Sequence, residues 1–133
     1  MGMSFHINFN GNCEEAFEHY VRHLGGRLGT LVRVGDAPYA PDPSLPAHSV
    51  VHANIRIAGV ELAGADLSNE LYQTPQGFCV LLGLDSEDQV REAFAALSEG
   101  GQVIVAPQAT FWSRCYAIVT DRFGVPWKLN CGD

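Results

Sequence analysis

The predicted secondary-structure elements of this 133-residue chain follow one order twice. Residues 4–9 alternate between polar and apolar side chains, which is typical of a strand with one packed face. A helix and three further apolar runs follow, and the same order begins again near residue 78. The repeat predicts an α+β fold of two βαβββ modules, at about 4–65 and 77–131, within one domain that spans residues 1–133. The predicted strands are residues 4–9, 28–34, 49–57, 60–65, 78–84, 102–106, 114–120 and 126–131.

Each predicted helix begins with a polar residue and ends at a pair of glycines. Asn12 is a candidate cap for the first helix, and the two glutamates that follow it would interact favourably with the helix dipole. Asp85 or Ser86 has the corresponding place before the second helix. Apolar residues at helical spacing then predict that each helix packs one face onto its sheet.

The composition excludes several classes of partner. The formal net charge is -7 and the eight basic residues are scattered, which argues against a nucleic acid or an anionic membrane as the partner. No apolar stretch reaches the length of a membrane helix and the first residues do not resemble a secretory signal, so we expect a cytoplasmic protein. The cysteines are too far apart for the paired spacing of a structural zinc site, and we expect reduced, mostly buried thiols. They are Cys13, Cys79, Cys115 and Cys131.

Three short motifs are the most specific features of the chain. They are Gly11-Asn12-Cys13-Glu14-Glu15-Ala16, the pair Phe111-Trp112, and Asp121-x-Phe123-Gly124-x-x-Trp127. Through them the chain resembles the PhnB-like branch of the glyoxalase / bleomycin-resistance / extradiol-dioxygenase superfamily, also called vicinal-oxygen-chelate proteins. The resemblance implies that the two modules form a glyoxalase-like, open, cup-shaped sheet. It also implies a homodimer that binds a small molecule in its cup.

The resemblance also indicates where a metal would be bound. Metal-dependent relatives place a His or Gln on the first strand of each module and usually a Glu on the last strand. Here His6 and Glu61 match two of these positions, Cys79 is at a third, and Lys128 occupies the place of the last Glu. An ammonium group is not a metal ligand, so we expect no cofactor. The alternative is a divalent Ni, Zn, Mn or Fe ion held by His6, Glu61 and Cys79.

Strand alternation and the aromatic residues predict the ligand contacts. Ser4, His6 and Asn8 form the polar face of the first strand, while Phe5, Ile7 and Phe9 should pack beneath the helix. Lys128 would pair with Glu61 or capture an anionic ligand, and Trp112 would project at the rim beside Arg114. The predicted ligand-binding residues are His6, Asn8, Glu61, Trp112, Tyr116 and Lys128.

Other features of the sequence receive simpler interpretations. The proline-rich segment 35–48 is predicted to be an extended loop, in which Tyr39 is the candidate for contact with a ligand. His19 and His23 have the spacing of a helical metal site, but a solvated helix edge is the favoured interpretation. His52 could reach the cup, whereas His48 belongs to the end of the loop.

The sequence supports one leading function and leaves two others open. A small-molecule binding protein without metal is the leading hypothesis. A metal-dependent isomerase, lyase or dioxygenase of the same superfamily is the alternative, and whether the chain is an enzyme stays open because no catalytic set is complete. A non-catalytic assembly or regulatory role is the third hypothesis. The chain has no G-x-S-x-G, P-loop or G-x-G-x-x-G motif, so these residues do not support a dinucleotide or S-adenosylmethionine fold.

Overall fold

Two units repeat one order of elements. A computed structural model of the chain describes residues 1–39 and 42–132, and it divides into the compact units Met1–Gln73 and Thr74–Asp133. Each unit consists of a strand, a helix and three further strands. The predicted α+β fold of two similar modules is therefore confirmed.

The first unit is a four-stranded sheet with one helix. The elements are β1 (Phe5–Phe9), α1 (Cys13–Leu24), β2 (Arg27–Arg33), β3 (Val50–Ile57) and β4 (Val60–Asp66). The strands have the order β1-β4-β3-β2, in which β1 runs parallel to β4 and the other neighbours are antiparallel.

The second unit has the same topology. The elements are β5 (Val80–Leu84), α2 (Glu87–Ser98), β6 (Gln102–Gln108), β7 (Cys115–Thr120) and β8 (Pro126–Cys131). Each of these strands lies within two residues of its predicted bounds. The strand order is β5-β8-β7-β6, and again the first strand of the unit pairs in parallel with the last.

The core of the first unit lies between α1 and one face of its sheet. Phe17 and Tyr20 of α1 are fully buried, and the ring of Phe17 packs edge-on against Phe9 at 5.6 Å between centroids. Ile7 and Phe9 are buried as the alternation predicts, but Phe5 is 50% exposed. The prediction for Phe5 was wrong because it is the first residue of β1, where the strand only begins to be covered.

The core of the second unit is organised around Trp127. Its indole is fully buried, and its Nε1 donates a hydrogen bond of 2.9 Å to Oδ2 of the buried carboxylate of Asp121. Oδ1 of Asp121 accepts from the backbone N–H groups of Phe123 and Val125, also at 2.9 Å. Gly124 has φ of +90° in this turn, a conformation that favours glycine. The motif from Asp121 to Trp127 therefore builds the β7–β8 connection.

The start of α1 is stabilised differently from the prediction. Asn12 is the cap residue, but its side chain makes no capping hydrogen bond. The buried carboxylate of Asp66, at the end of β4, accepts from the N–H of Cys13 at 2.9 Å and from the N–H of Val50 at 2.8 Å. In α2 the predicted cap is present, because Ser86 Oγ accepts from the N–H of Gln89.

The proline-rich segment begins with a short turn of 3₁₀ helix, Val34–Asp36. Tyr39 is 81% exposed, and its predicted contact with a ligand stays a prediction. Pro41, which contributed to the loop prediction, lies outside the described residues. Neither α1 nor α2 has the length and apolar character needed to cross a membrane, and no other helix of the described residues has them.

Candidate ligand-binding faces of the two sheets

Each sheet has a face that is turned away from its helix, here called the open face. In the first unit a side chain at Gly64 would contact Phe17 and Cys13 of α1, so residues of the opposite alternation belong to the open face. His6 and Asn8 of β1 are exposed there. Their neighbours on β4 are small, because His6 pairs with Ala63 and Asn8 pairs with Ala65.

Several other polar groups on this open face already have structural partners. Oδ1 of Asn54 accepts a hydrogen bond of 2.9 Å from the N–H of Thr30, at an irregularity in the pairing of β2 with β3. Arg56 is the cross-strand neighbour of Glu61, but its guanidinium donates to the carbonyl of Gly59. The predicted residues His6, Asn8 and Glu61 thus share one face of one sheet, on adjacent strands.

His6 has a perturbed acid–base equilibrium. Partial burial lowers the pKa of its imidazole below the ordinary value, and the nearby His52 lowers this pKa further by charge repulsion. The fold therefore favours the neutral ring, which can donate from one nitrogen and accept at the other. A neutral imidazole can therefore bind a polar ligand group that carries no negative charge.

We expect an NMR titration of the histidine side chains to give His6 a pKa below about 6.5. His52→Ala should raise this pKa without restoring the ordinary value, because burial is the larger cause. Since the folded-state pKa lies below the unfolded one, the contribution of His6 to stability is present above about pH 6.5 and is lost as the pH falls through the folded-state pKa. An ordinary pKa in the wild-type protein would contradict this description of the face.

The open face of the second sheet carries a cation beside aromatic residues. Trp127, Leu129 and the paired Ala117 are fully buried, so Lys128 and Asn130 of β8 belong to the opposite face. On β7, Ile118 pairs with Lys128, and Tyr116 pairs with Asn130. The structure therefore places the predicted residues Lys128 and Tyr116 on one face of neighbouring strands.

An exposed aromatic group adjoins this face. The ring of Trp112 packs edge-on against Tyr116 with 5.3 Å between centroids, and Phe111 packs edge-on against Trp112 at 4.7 Å. Trp112 is 49% exposed and Phe111 is 96% exposed. Buried aromatic rings stabilise a core, but rings with this much exposed area are available for contact with a ligand.

Arg114 has a structural role rather than the predicted place beside an aromatic ligand platform. Its Nε donates to the carbonyl of Gly132 at 2.6 Å, and its Nη2 lies 3.2 Å from the sulfur of Cys131. The neighbouring Ser113 is buried, and its hydroxyl lies within hydrogen-bond distance of the carbonyls of Cys115 and Cys131. Both residues thus join the start of β7 to the end of β8. Lys128 is therefore the cation that we consider for ligand binding on this face.

The residues at the family's metal positions do not fit a metal ion. Within the described ranges, 1–39 and 42–132, no three His, Cys, Asp or Glu side chains are grouped closely enough to hold one. Lys128 replaces a carboxylate with an ammonium group, which repels a cation. Cys79 lies just before β5 and is half-buried. The absence of a cofactor stays a prediction, and no chemical step is assigned to a metal here.

The four cysteines are free thiols. Burial, together with the negative charges of Asp66 and Glu14, raises the pKa of the Cys13 thiol far above its ordinary value. Burial also raises the pKa of the Cys115 thiol. Such thiols stay protonated and are poor nucleophiles or metal ligands, which agrees with a role in packing.

An acidic cleft of about 280 Å³ lies at the start of α1. Glu14, Glu15, Glu18, His48 and Asp66 are among its lining residues. The carboxylate of Glu14 is paired with Arg33 at 2.6 Å, and that of Asp66 holds the two backbone N–H groups described above. The cleft is lined by negative charges, whereas Lys128 supplies a positive charge to the open face of the second sheet. The carboxylates of Glu14 and Asp66 already stabilise the fold through these contacts.

Sequence reasoning missed two positions on the open face of the second sheet. Asn130 lies two residues beyond Lys128, so strand alternation could have placed it on the same face. Gly83 of β5 pairs with Asn130, and this parallel register could not be read from the sequence. Asn130 lies beside Tyr116 of β7, whereas Gly83 extends the face on the other side of β8.

The chain is similar to known proteins over nearly its whole length. The sequence model of the family described as 3-demethylubiquinone-9 3-methyltransferase matches residues 2–130. Protein YjdN of Escherichia coli strain K12 is 32% identical, with 98% of this chain and 95% of that protein covered.

Solved structures have the same fold. Protein PA1353 from Pseudomonas aeruginosa is 34% identical with a TM-score of 0.89, over 99% of this chain and 98% of that one. A PhnB protein from Bacillus cereus is 19% identical with a TM-score of 0.85, over 99% and 100% of the two chains. At that lower identity the second likeness concerns the fold alone.

Proposed function

The chain belongs to the PhnB-like branch of the glyoxalase superfamily, and on that premise we propose that it binds a small molecule without a metal ion. The ligand carries an aromatic or other flat apolar group and a negative charge. Trp112 and Tyr116 contact the flat group, and Lys128 binds the charge. The predicted role of His6, Asn8 and Glu61, which lie on the open face of the first sheet, stays a prediction.

One observation carries this proposal. Lys128 and Tyr116 lie on the same face of adjacent strands, and the exposed ring of Trp112 packs against Tyr116. A cation next to exposed aromatic rings favours an anionic aromatic ligand, because the rings cover its apolar surface and the ammonium group pairs with its charge. The same cation disfavours the metal-dependent alternative at this position.

The methyl transfer named in the family's description is not part of the proposal. The connection before α1 is Asn10-Gly11-Asn12, and the connection before α2 is Asp85-Ser86. Neither is the glycine-rich turn between strand and helix that dinucleotide-binding and related cofactor folds use. A binding role therefore agrees better with the residues of this chain.

We also propose that the protein acts as a cytoplasmic homodimer. Large apolar side chains are exposed on outer strands of both sheets, and a second copy of the chain would cover part of them. These side chains are Phe5, Leu28, Leu81, Val103 and Ile104. Size-exclusion chromatography with light scattering should give twice the 14.4 kDa mass of the chain, and the mass of one chain at micromolar concentration would contradict the dimer.

Binding of substituted benzoates and naphthoates, followed by calorimetry, tests the proposed ligand class. We expect Lys128→Met to weaken binding about tenfold or more, because a charge-assisted hydrogen bond is lost. Trp112→Ala should weaken binding by a similar factor through the lost ring contact. Arg22→Met is the matched control, since it removes a cation from the exposed side of α1 and should leave binding unchanged.

Metal content is measured on the same untagged protein by inductively coupled plasma mass spectrometry. We expect no stoichiometric Ni, Zn, Mn or Fe, even after incubation with these ions. Near-stoichiometric metal that is lost in both His6→Ala and Glu61→Ala would overturn the proposal and establish the metal-dependent alternative. Equal binding of the benzoates by wild type and Lys128→Met would remove Lys128 from the site.

A further inference from the structure

His19 and His23 form a pair of neighbouring imidazole rings on α1. Their ring centroids are 4.5 Å apart and their planes are inclined by 54°. His19 is half-buried and His23 is exposed, so an ion in the solvent can reach the pair. Because α1 packs on the face of the first sheet that is opposite to the open face, the pair is separate from His6 and Glu61 at the family's metal positions.

The separation of the two rings fits one metal ion bound by both. An ion at about 2.0–2.1 Å from a ring nitrogen lies roughly 3.2 Å from the centre of that ring. Two rings at right angles around the ion then have centroids about 4.5 Å apart, whereas a tetrahedral angle requires about 5.2 Å. The observed 4.5 Å is therefore the separation of two adjacent ligands in a tetragonal site, which is the geometry of Cu(II) and Ni(II).

Little rearrangement is needed for both rings to bind an ion. Rotation about the bond between Cβ and the ring leaves the ring centre in place, and this torsion is soft in histidine. Each ring can therefore turn one nitrogen toward a common point while the centroids keep their separation. Residues four apart on a helix also remain on one side of it without any change of the backbone.

The local charges favour a cation at this position. His23 belongs to the last turn of α1, where the negative end of the helix dipole stabilises positive charge. Glu15 is one turn before His19 on the same side of α1 and adds a negative charge. No third His, Cys, Asp or Glu joins the pair in the part of the chain that the structure describes, so water would complete the coordination.

We propose that His19 and His23 bind one Cu(II) ion, with water in the remaining positions. Among the common divalent ions copper binds nitrogen ligands most strongly, which matters where the protein supplies two ligands only. Nickel and zinc bind the same ligands less strongly and should be lost when excess metal is removed. The expected absence of stoichiometric Ni, Zn, Mn and Fe is therefore unaffected, and the copper site is independent of the proposed function.

Nuclear magnetic resonance with copper(II) chloride as the probe tests the site directly. The unpaired electron of Cu(II) broadens the signals of nearby amides, and we expect the backbone signals of residues 19–24 to broaden first. The effect should saturate at one ion per chain. Electron paramagnetic resonance of the same sample should show coupling of the copper electron to two imidazole nitrogens.

Histidine variants identify the ligands. His19→Gln and His23→Gln should each weaken copper binding about tenfold or more, because one remaining imidazole cannot chelate the ion. His48→Gln, which removes another exposed histidine, is the matched control. Cys79→Ser tests capture of copper by the half-buried thiol. Both controls should leave the affinity unchanged.

Three results would overturn the copper site. Binding as tight in His19→Gln and His23→Gln as in wild type would mean that the pair holds no ion. Loss of binding in His6→Gln, His48→Gln or Cys79→Ser, with both α1 variants unaffected, would place the copper elsewhere. The absence of any broadening at millimolar copper would show that the two rings do not chelate.

Discussion

Asp121→Ala is expected to lower the free energy of unfolding by roughly 3–5 kcal/mol. The buried carboxylate accepts hydrogen bonds from the N–H groups of Phe123 and Val125 and from the indole of Trp127. Alanine leaves these buried donors without the carboxylate, and each unpaired buried group costs about 1–3 kcal/mol. Since a domain is stable by only about 5–15 kcal/mol, this loss removes a large share of the stability and should lower the melting temperature by many degrees.

Asp121→Asn should lower the free energy of unfolding by less than Asp121→Ala. The comparison distinguishes the contribution of Oδ1, which accepts from the backbone, from that of Oδ2, which accepts from the indole. An amide oxygen at the Oδ1 position still accepts from Phe123 and Val125, but the amide nitrogen then faces the N–H of Trp127. Trp127→Phe removes that opposing N–H. The double variant Asp121→Asn with Trp127→Phe should therefore lose less stability than the two single losses added together.

Urea unfolding followed by circular dichroism measures these differences in stability. Asp88→Ala, in the exposed first turn of α2, is the control for loss of a carboxylate and should change stability by no more than about 1 kcal/mol. Additive losses in the double variant would contradict the geometry described for the turn. So would an Asp121→Ala protein as stable as the Asp88→Ala control.

The sequence predicted the elements of the fold well because alternation and helical spacing are local patterns. The turn from Asp121 to Trp127 illustrates what such patterns do not contain. Its residues stood out as a family motif, and the reason for the motif emerged only when one carboxylate was found to bind three donors. The motif indicated that the residues matter, whereas the structure indicated how they act.

Contacts between distant parts of the sequence could not be predicted. Asn12 was a reasonable cap because caps usually come from the adjacent residue. The actual acceptor, Asp66, is 53 residues away from Cys13, and only the pairing of β1 with β4 brings the two together. In the same way the sequence suggested that Arg114 was available for a ligand. Its actual partner, the carbonyl of Gly132, is 18 residues away, so the contact could not be predicted.

The candidate site shows the same division between local and distant information. Alternation placed His6 and Asn8 on one face of β1, and the structure has them there. The family resemblance, rather than alternation, singled out Lys128, because metal-dependent members are expected to carry a Glu at that position. Gly83, which is 47 residues away in sequence from Asn130, is the neighbour of Asn130 on β5. That pairing does not follow from the sequence of one strand.

Asp66→Ala is expected to destabilise the first unit by roughly 3–5 kcal/mol. Two buried N–H groups, those of Cys13 and Val50, lose their acceptor, at about 1–3 kcal/mol each. The start of α1 also loses a negative charge that interacts favourably with the helix dipole, at about 0.3–1 kcal/mol. The loss should be concentrated where α1 and β3 begin, since one carboxylate joins the two.

Amide hydrogen exchange distinguishes this local effect from general destabilisation. In Asp66→Ala, protection at the start of α1 and β3 should fall before protection in β7 and β8. Asp66→Ser keeps a short acceptor and should retain part of the stability, whereas Glu18→Ala, on the exposed side of α1, should change stability by less than about 1 kcal/mol. Uniform loss of protection in both units would mean that the carboxylate supports more than the junction of α1 with β3. Unchanged protection would mean that the two N–H groups find another acceptor, and the assignment of Asp66 as the cap of α1 would be wrong.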